Sequence, residues 1–366
     1  MPILRPTVAH IDLSKLTRNL LKLHSQVGKN VGLLAILKAN AYGHGATSIG
    51  QFIEQHKLAL GMGVASVEEG IALREANLQS PILVLGSIYP FEAFEYAIRY
   101  NLAVTIASLT AAQAVCEVAQ KMGKRALCHV KQDTGMGRIG TRRGETMKVI
   151  EFLHKNPHAQ LDGLYSHLSS VETDPDYTQQ QIGYLRDTLT NIHLKNIPIA
   201  HVHVAASAAL VARPDVHYNL VRPGHSLYGL EEGYEPILSL TTRVVYLKEV
   251  LPGASISYNR SFIATKPMKV ATLPVGYGDG YMRVLSNKAT VLIRGQHCRV
   301  LGNVTMDMMM VDVTQVSGVC VGDEVVLVGR QGDEEITLKQ LAELAGTIDY
   351  ELCTQLNARV PRIYKE

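Results

Sequence analysis

The sequence predicts an α/β fold with two domains, a parallel (β/α)8 barrel of the TIM type over residues 1–234 and a mainly β domain over residues 235–366. Three observations predict it. Between Val31 and Gly224, eight short apolar runs follow one another, and most are continuous, as is typical of strands buried on both faces. Helical patterns lie between most of these runs, and eight such units are what a closed barrel needs. After Pro236 the chain changes to short β-rich runs and turns.

The eight predicted barrel strands share this apolar character. In chain order they are "VGLLAILK", "LALGMGVA", "PILVLG", "LAVTIA", "ALCHVKQD", "LDGLYSHL", "HVHVAA" and "NLVRPG". Two helices between them carry clear end signals. "SVEEGIALREAN" opens with Ser66 and has Glu69 three residues later, a capping-box signature, and "SLTAAQAVCEVAQKMG" stops at Gly123. Little room is left for a helix between the last two strands, so a doubly wound sheet stays open as an alternative.

The segment after Glu235 contains β-rich runs and one helical pattern. The runs are "LSLTTRVVYLKEV", "KVATLPV", "ATVLIRG", "HCRVLGN", "MMMVDV" and "DEVVLVG". Turns such as "LPGA" and "VGDE" separate them, and only "TLKQLAELAG" predicts a helix. At the start of the chain, "PTVAHIDL" predicts an extra strand ahead of the helix "SKLTRNLLKLHSQVG". Pairing of residues 1–11 with the C-terminal domain is one option for this strand.

The composition predicts a cytoplasmic globular protein. The chain is 46% hydrophobic and 19% charged, with a net charge of +3. Its charges are interspersed, so a nucleic-acid or membrane surface is not indicated, and no apolar run reaches the roughly 18 residues of a membrane span. The start of the chain lacks the pattern of a secretory signal. The five cysteines are scattered, which fits a reducing compartment better than a disulfide framework.

Polar residues follow the predicted strands at one end of the barrel, where the catalytic groups of such barrels lie. They are Lys38 after the first strand, Lys131 and Arg138 at the fifth, His167 at the sixth, Ser207 at the seventh, and Arg222 and Gly224 at the eighth. In a closed barrel the first and eighth strands are neighbours. The sequence therefore predicts that these side chains converge on one rim.

Lys38 stands directly after five apolar residues in "LLAILKANAYGHGA". Such a lysine can be a surface cation whose stem lies along apolar surface. It can also be a nucleophilic amine in a partly desolvated site, of the kind that forms a Schiff base. The small and flexible residues that follow, with glycines at 43 and 45, would let the backbone approach a bound cofactor closely.

The stretch "AILKANAYGHGA" closely resembles the pyridoxal-phosphate lysine motif of the alanine racemases, enzymes of fold type III. The resemblance covers nearly the whole chain in the family's order. It continues through "VKQDTGMGRIG", "LYSHLSS", "NLVRPGHSLYG", "ISYNRSF", "LPVGYGDGY", "LGNVTMDMMMVDV", "VGRQGDE" and "TIDYE". It implies an isomerase that interconverts L-alanine and D-alanine and, in a bacterial cytosol, supplies D-alanine for peptidoglycan.

The resemblance implies a two-base mechanism on pyridoxal 5′-phosphate held covalently by Lys38. Racemisation removes a proton from one face of Cα and returns one to the other, and a single side chain cannot easily reach both faces. In the family the second base is a tyrosine of the other subunit, matched here by Tyr258. A homodimer with shared active sites follows. Taken alone, Tyr258 could equally be an aromatic residue packed at an interface.

The resemblance also assigns cofactor contacts. Arg222 matches an arginine that faces the pyridine nitrogen and, because it keeps its proton, makes the ring a weaker electron sink. His167 is implied to pack against the ring and to help position Arg222. The implied phosphate ligands are Tyr42, Ser207, Tyr350 and the backbone amides near Gly224 and His225.

The implied substrate region draws on both domains. Arg138 would fix the cofactor's phenolic oxygen and the substrate carboxylate, and Lys131 matches a lysine that is often carbamylated in the family. The remaining positions are Met306 and Asp307 for the substrate carboxylate, Tyr277 and Arg283 at the entrance, and Tyr350, whose bulk narrows the pocket to alanine. Serine stays open as a second substrate.

Three positions depart from the commonest family pattern. Ala206 stands where asparagine is usual, which removes a polar contact near the phosphate. His225 replaces a common isoleucine, a tolerable change if only its backbone N–H is used. Asn259 replaces the glycine after the tyrosine, and asparagine tolerates left-handed backbone angles better than most residues.

Three other functions remain as alternatives. "GMGRIG" formally matches a dinucleotide-binding glycine pattern, although it follows the fifth strand rather than the first. A zinc hydrolase could use His201 and His203 with His217 or His225, although no carboxylate or third histidine stands at a convincing spacing. A non-catalytic pyridoxal-phosphate-binding protein is the third, but such proteins are typically single barrels.

Overall fold

A computed structural model describes residues 4–366 of the chain. Residues 1–3, which fall within the predicted first domain, lie outside the described residues. The chain forms two compact units. The barrel unit comprises Thr17–Ala41 and Ala46–Tyr234, and the β unit comprises the residues up to Leu16 together with Tyr42–Gly45 and Glu235–Glu366.

The chain begins with strand β1 (Val8–Asp12), which leads directly into helix α1 (Leu13–Val27). The carboxylate of Asp12 accepts a hydrogen bond from the backbone N–H of Lys15 at 2.8 Å. This is the usual way in which a side chain satisfies a free donor in the first turn of a helix.

The barrel unit contains an eight-stranded, wholly parallel sheet in the order β8-β7-β6-β5-β4-β3-β2-β9. An isolated parallel bridge between Ala206 and Arg222 joins the two ends of this order, so the barrel is nearly closed and the doubly wound alternative is wrong. Its strands are β2 (Gly32–Ile36), β3 (Gly61–Val64), β4 (Ile82–Val84), β5 (Ala103–Ile106), β6 (Ala126–Lys131), β7 (Ala159–Tyr165), β8 (His201–His203) and β9 (Leu220–Val221).

Helices follow the barrel strands, as the alternating pattern predicts. They are α2 (Ala46–Gln55), α3 (Val67–Glu75), α4 (Ala93–Arg99), α5 (Leu109–Lys121), α6 (Thr146–Lys155), α7 (Pro175–Leu194) and α8 (Ser207–Ala212). Ser66 caps α3 and Ser108 caps α5, each accepting a backbone N–H from the first turn. Only the short α8 and a 3-10 turn (Pro214–Val216) fit between β8 and β9.

The β unit is built on a ten-stranded sheet in the order β11-β14-β17-β16-β15-β18-β10-β1-β20, with β19 paired to β18. Strand β1 pairs antiparallel with β10 and parallel with β20. A separate hairpin joins β12 and β13. The strands are β10 (Leu238–Arg243), β11 (Tyr246–Val250), β12 (Ser255–Ile256), β13 (Phe262–Ile263), β14 (Met268–Leu273), β15 (Thr290–Ile293), β16 (Gln296–Leu301), β17 (Met309–Asp312), β18 (Glu324–Gln331), β19 (Glu334–Ile336) and β20 (Arg362–Lys365).

Two helices, α9 (Leu338–Ala345) and α10 (Asp349–Gln355), complete this unit, so the expectation of a single helix there is wrong. Helix α9 has a full capping box at its start and Gly346 in the left-handed conformation at its end. Helix α10 begins after Ile348, which offers no capping side chain, so it lacked a start signal in the sequence. Among the helices of residues 4–366, none is long and apolar enough to cross a membrane.

Between β2 and α2 the backbone makes a left-handed turn. Ala39, Asn40, Ala41 and Tyr42 have φ angles between 51° and 55°, a region that residues other than glycine rarely occupy. The turn begins at Lys38 and is followed by Gly43, whose φ of 80° lies in the same half of the map.

Replacing Gly43 with alanine is expected to destabilise the fold far more than the same change at Gly28. Both glycines have φ near 80°, so both variants carry the left-handed strain of about 1–2 kcal/mol. A Cβ at Gly43 would also lie 2.0 Å from the carbonyl oxygen of Cys353, whereas one at Gly28 meets nothing within 4 Å. We expect Gly43→Ala to lower the free energy of unfolding by about 3 kcal/mol or more. Equal thermal unfolding midpoints for the two variants would contradict this.

Candidate active site

Lys38 lies where β2 ends, at the start of the left-handed turn. Two side chains hold this turn. Glu69 of α3 accepts the backbone N–H of Ala39 at 2.7 Å, and the Asn40 side chain accepts the backbone N–H of Ala46 at 2.9 Å. The turn is therefore tied to elements on both sides, which restricts the direction of the Lys38 side chain.

The surroundings of Lys38 favour its neutral amine. Burial lowers the pKa of Lys38 below its ordinary value, and the cations Arg138 and Arg222 lower it further, while Glu69 opposes them. A lower pKa gives a larger neutral fraction, and only the neutral amine is a nucleophile or a base. This is the chemistry that a covalent attachment point requires.

Arg222 is almost completely buried and is held by neutral acceptors. Its guanidinium donates to Nδ1 and to the carbonyl oxygen of His203, both at 2.8 Å, and to the carbonyl oxygens of Ser166 at 2.8 Å and Val204 at 3.1 Å. Nδ1 of His167 lies 3.4 Å away. Burial lowers the pKa of Arg222 to about 10, so it remains a cation at neutral pH.

A hydrogen-bonded chain runs from Arg222 through the barrel interior to Asp162. Because a guanidinium only donates, Nδ1 of His203 must accept, and its Nε2 then carries the proton. That Nε2 donates to Nδ1 of His129 at 3.0 Å, and Nε2 of His129 donates to Asp162 at 3.1 Å. Burial lowers the pKa of both imidazoles, which favours the neutral forms that this order requires.

Two more titratable groups lie near these cations. Burial, followed by Arg222 and Arg138, lowers the pKa of His167 to about 3, so the imidazole is neutral. Burial and Arg138 lower the pKa of Lys131 to about 8, and its Nζ lies 5.3 Å from the ring centroid of Tyr165. The barrel unit thus brings Lys38, Lys131, Arg138, His167 and Arg222 within electrostatic reach of one another.

Ser207 and the segment after β9 form a small cluster of donors. The Ser207 hydroxyl accepts the backbone N–H groups of Gly224 at 3.0 Å and Ser226 at 3.3 Å. His225, between them, is half-buried. Ala206, the residue before α8, provides no capping side chain, so the departure at this position leaves the helix start without one.

Tyr258 lies in the β unit on a tight, partly left-handed turn. Its side chain is exposed, at 71% of full accessibility. Asn259 has φ 60° and ψ 16°, a left-handed conformation that suits asparagine better than most residues. The side chain of Asn303 donates to the carbonyl oxygen of Tyr258 at 2.9 Å and fixes the turn.

The β unit brings Met306 and Asp307 together with Tyr277 in one exposed region. The backbone N–H of Gly278 donates to the carbonyl oxygen of Met306 at 2.8 Å. Arg359 forms an ion pair with Asp307 at 2.5 Å. Two further predicted positions lie in this unit. Arg283 is exposed on the 3-10 turn Arg283–Leu285, and Tyr350 lies half-buried on α10. Burial, and after it Tyr350, raises the pKa of Tyr42 to about 12.

Two of the three alternatives to a racemase, the dinucleotide enzyme and the zinc hydrolase, find no support in the local geometry. The glycine run 135–140 forms a loop in which Asp133 accepts the backbone N–H groups of Gly135 and Gly137, and no helix opens there. His203 is hydrogen-bonded to a guanidinium, a poor neighbour for a metal cation. Within residues 4–366 no group of three histidine, cysteine or carboxylate side chains is arranged to hold a metal.

The sequence did not reveal four residues of this site. The sequence around Glu69 indicates only a helix cap, and nothing in that segment indicates a contact with Ala39. His129 lies in β6, and Asp162 and Tyr165 lie in β7. Both segments predict buried strands, and a strand prediction assigns these residues no role in a site. Alternation within β6, β7 and β8 could have placed His129 and His203 inside the barrel, since residues two apart share a strand face.

The donors of the barrel unit suit a planar cofactor with a phosphate and a ring nitrogen. Lys38 supplies an amine of lowered pKa, and Arg222 a buried cation whose hydrogen bonds fix its position. The amides of Gly224 and Ser226 hold the oxygen of Ser207, whose own O–H can then donate to a phosphate. The residues present therefore fit pyridoxal phosphate.

Comparison with known proteins identifies the family. The family model "alanine racemase, N-terminal domain" matches residues 11–232, and "alanine racemase, C-terminal domain" matches residues 237–364. The chain is 40% identical to an alanine racemase of Halothermothrix orenii, and the alignment covers 99% of this chain and 98% of that protein. It is 41% identical to that of Symbiobacterium thermophilum, with 99% and 97% covered.

Solved structures agree. The alanine racemase of Clostridium difficile 630 superposes with a TM-score of 0.94 at 35% identity, covering 100% of this chain and 97% of that one. By class, the chain is an isomerase built on a TIM-type barrel with a mainly β second unit. It belongs to the alanine racemase family.

Proposed function

We propose that this chain interconverts L-alanine and D-alanine with pyridoxal 5′-phosphate held on Lys38, and that Lys38 and Tyr258 of the partner subunit are the two opposed bases. The observation that carries the proposal is the environment of Lys38. Lys38 follows the end of a barrel strand, and its amine has a lowered pKa to which the buried Arg222 contributes. Formation of D-alanine from L-alanine, followed by polarimetry, tests the reaction. Binding of the cofactor without turnover would favour a carrier instead.

Each cofactor contact has a candidate residue. Bound there, pyridoxal phosphate would supply an electron-withdrawing ring that stabilises negative charge at the substrate Cα. Arg222 would face the ring nitrogen as a permanent cation, and neutral His167 would pack beside it. The phosphate would be bound by Ser207, the amides of Gly224 and His225, Tyr42 and Tyr350.

The two bases act on opposite faces of Cα. The neutral Nζ of Lys38 removes or returns the proton on one face, and the hydroxyl of Tyr258 does so on the other. A free phenol has a pKa of about 10, so this hydroxyl needs cations or hydrogen bonds around it in the assembled site.

Arg138 and the backbone of Met306 would bind the substrate carboxylate. Asp307, ion-paired with Arg359, would hold the Met306 loop in place. Tyr277 and Arg283, both exposed, would line the entrance, and the bulk of Tyr350 would restrict the substrate pocket to small side chains. A panel of small L- and D-amino acids, serine included, measures that restriction.

Lys131 is proposed to carry a carbamate. With a pKa of about 8, roughly a tenth of its amine is neutral at pH 7, and this fraction can attack CO2. The ammonium first loses one proton to solvent, the neutral Nζ then forms a bond to the carbon of CO2, and a second proton leaves from Nζ to solvent, so that a cation becomes an anion beside Arg138. A ¹³C resonance from labelled bicarbonate that is absent in Lys131→Gln would identify it. No such resonance in the native protein would remove this part of the proposal.

A homodimer with shared sites is the proposed assembly. Tyr258 is 71% exposed, and other apolar side chains on the same unit are exposed as well. Among them are Ile263, Tyr277, Val284, Met306 and Met308. Exposed apolar side chains that lie together are typical of a surface covered in an assembly. A cytoplasmic location is proposed with it, because all five cysteines are free thiols. The product D-alanine would supply peptidoglycan synthesis.

Mixing two inactive variants tests the shared sites. In a hybrid of Lys38→Ala with Tyr258→Phe, one site combines both defects and the other has Lys38 from one chain and Tyr258 from the other. Half of the dimers in an equal random mixture are hybrids, so we expect recovery of about a quarter of wild-type activity. Refolding each variant alone is the control. If Tyr258 served its own subunit, no hybrid would contain an intact site and mixing would recover nothing.

A further inference from the structure

The capping signature at Ser66 and Glu69 is only half used as a cap. The hydroxyl of Ser66 accepts the backbone N–H of Glu69 at 3.3 Å, as expected at the start of α3. In a capping box the Glu69 carboxylate would return to the N–H of Ser66. Instead, one carboxylate oxygen accepts the N–H of Ala65, and the other accepts the N–H of Ala39, both at 2.7 Å.

These two contacts join the ends of two neighbouring strands. Ala65 follows β3, and Ala39 follows β2 and is the residue directly after Lys38. Ala39 also opens the left-handed turn, where the usual hydrogen bonds of a right-handed helix are unavailable to its N–H group. A carboxylate is a strong acceptor for such a donor. Glu69 therefore fixes the peptide that leaves Lys38.

Glu69 is also the anion among the charges around Lys38. Arg138 follows β6, Arg222 follows β9, and Lys131 and His167 lie at the ends of β6 and β7. Arg138 and Arg222 lower the pKa of Lys38, and Glu69 raises it. Glu69 thus limits how far the surrounding cations lower the pKa of Lys38.

We propose that Glu69 is a positioning residue for Lys38, holding the Ala39 peptide so that the amine faces Arg138 and Arg222, and supplying the negative charge that balances them. The inference rests on the proposed role of Lys38 as the cofactor attachment point. It assigns to a helix-start glutamate a role in the reaction that a local cap does not have.

The apoenzyme provides the test. The rate at which added pyridoxal phosphate becomes covalently attached is followed by visible absorption from pH 6 to 10, because attachment needs the neutral amine. Glu69→Gln removes the charge and one acceptor, so we expect the pH midpoint of attachment to fall and the plateau rate to drop about tenfold to a hundredfold. Glu69→Asp keeps the charge but is too short to span both N–H groups, so its midpoint should stay and its plateau should drop.

Glu68→Gln is the matched control, since Glu68 is the preceding carboxylate in the same helix turn and is exposed. It should leave both midpoint and plateau as in the wild type. A wild-type midpoint and plateau in Glu69→Gln would overturn the inference, as would a drop of the same size in Glu68→Gln. If the wild type and Lys38→Ala attach the cofactor equally, the proposed role of Lys38 itself is wrong, and the inference is overturned with it.

Discussion

Replacing Lys38 with alanine is expected to lower kcat for both directions of racemisation by about 10⁴-fold or more, because one side chain supplies both the attachment point and a base. The variant should also remain colourless after incubation with pyridoxal phosphate. Its fold should be kept, since Lys38 lies at the end of a strand and the turn is held by Glu69 and Asn40 through other atoms. Absorption spectra and polarimetry measure the two effects independently.

Lys121→Ala is the control for this experiment, because Lys121 is an exposed lysine at the end of α5. It should keep wild-type colour and rate. A yellow, active Lys38→Ala enzyme would contradict the assignment outright. A yellow but inactive one would leave Lys38 as a base and move the attachment point elsewhere, with Lys131, whose pKa Lys38 also lowers, as a candidate.

Replacing Tyr258 with phenylalanine removes one oxygen atom and should lower kcat by about 10²- to 10⁴-fold, the range typical for loss of a general base. The cofactor colour should persist, because Lys38 is untouched. The remaining base still reaches one face of Cα. We therefore expect one enantiomer of alanine to exchange its Cα proton with deuterated water while keeping its configuration. Proton NMR follows the exchange, and polarimetry follows the inversion.

Tyr246→Phe is the matched control, since Tyr246 is an exposed tyrosine on β11 of the same unit. It should leave racemisation unchanged. An equally active Tyr258→Phe enzyme would remove Tyr258 from its role. Loss of both exchange and inversion, with the colour retained, would show that Tyr258 acts on the substrate before any proton is moved.

The barrel was predictable because burial on both faces leaves a direct mark on the sequence. Runs such as those that became β2, β3 and β4 are apolar in their strand residues, and their order along the chain is their order in the sheet. The β unit was harder. One predicted run became β10 and β11, which pair with different strands, and the sequence carries no marker for that break at Val244 and Val245. Helix α10 was missed because it is short and lacks a cap.

The candidate site was predictable only where a residue stands at a strand end. Lys38 and Arg222 were found in this way, with the resemblance supplying their roles. The series of hydrogen bonds from Arg222 to Asp162 was not predictable. The partners of His203 come from strands that are distant in sequence, and each histidine taken alone has an ordinary structural explanation. The contact between Glu69 and Ala39 likewise joins residues 30 positions apart. Such contacts are set by which strands lie close together in the barrel rather than by any local pattern.

The left-handed turn after Lys38 limits what protein engineering can do near this amine. Each residue from Ala39 to Ala41 occupies a conformation that costs an L-residue about 1–2 kcal/mol, and branching at Cβ makes it worse. A combinatorial library that randomised these three positions would return few well-folded members. Efforts to broaden substrate choice should therefore leave this segment fixed and vary side chains on the right-handed elements around it.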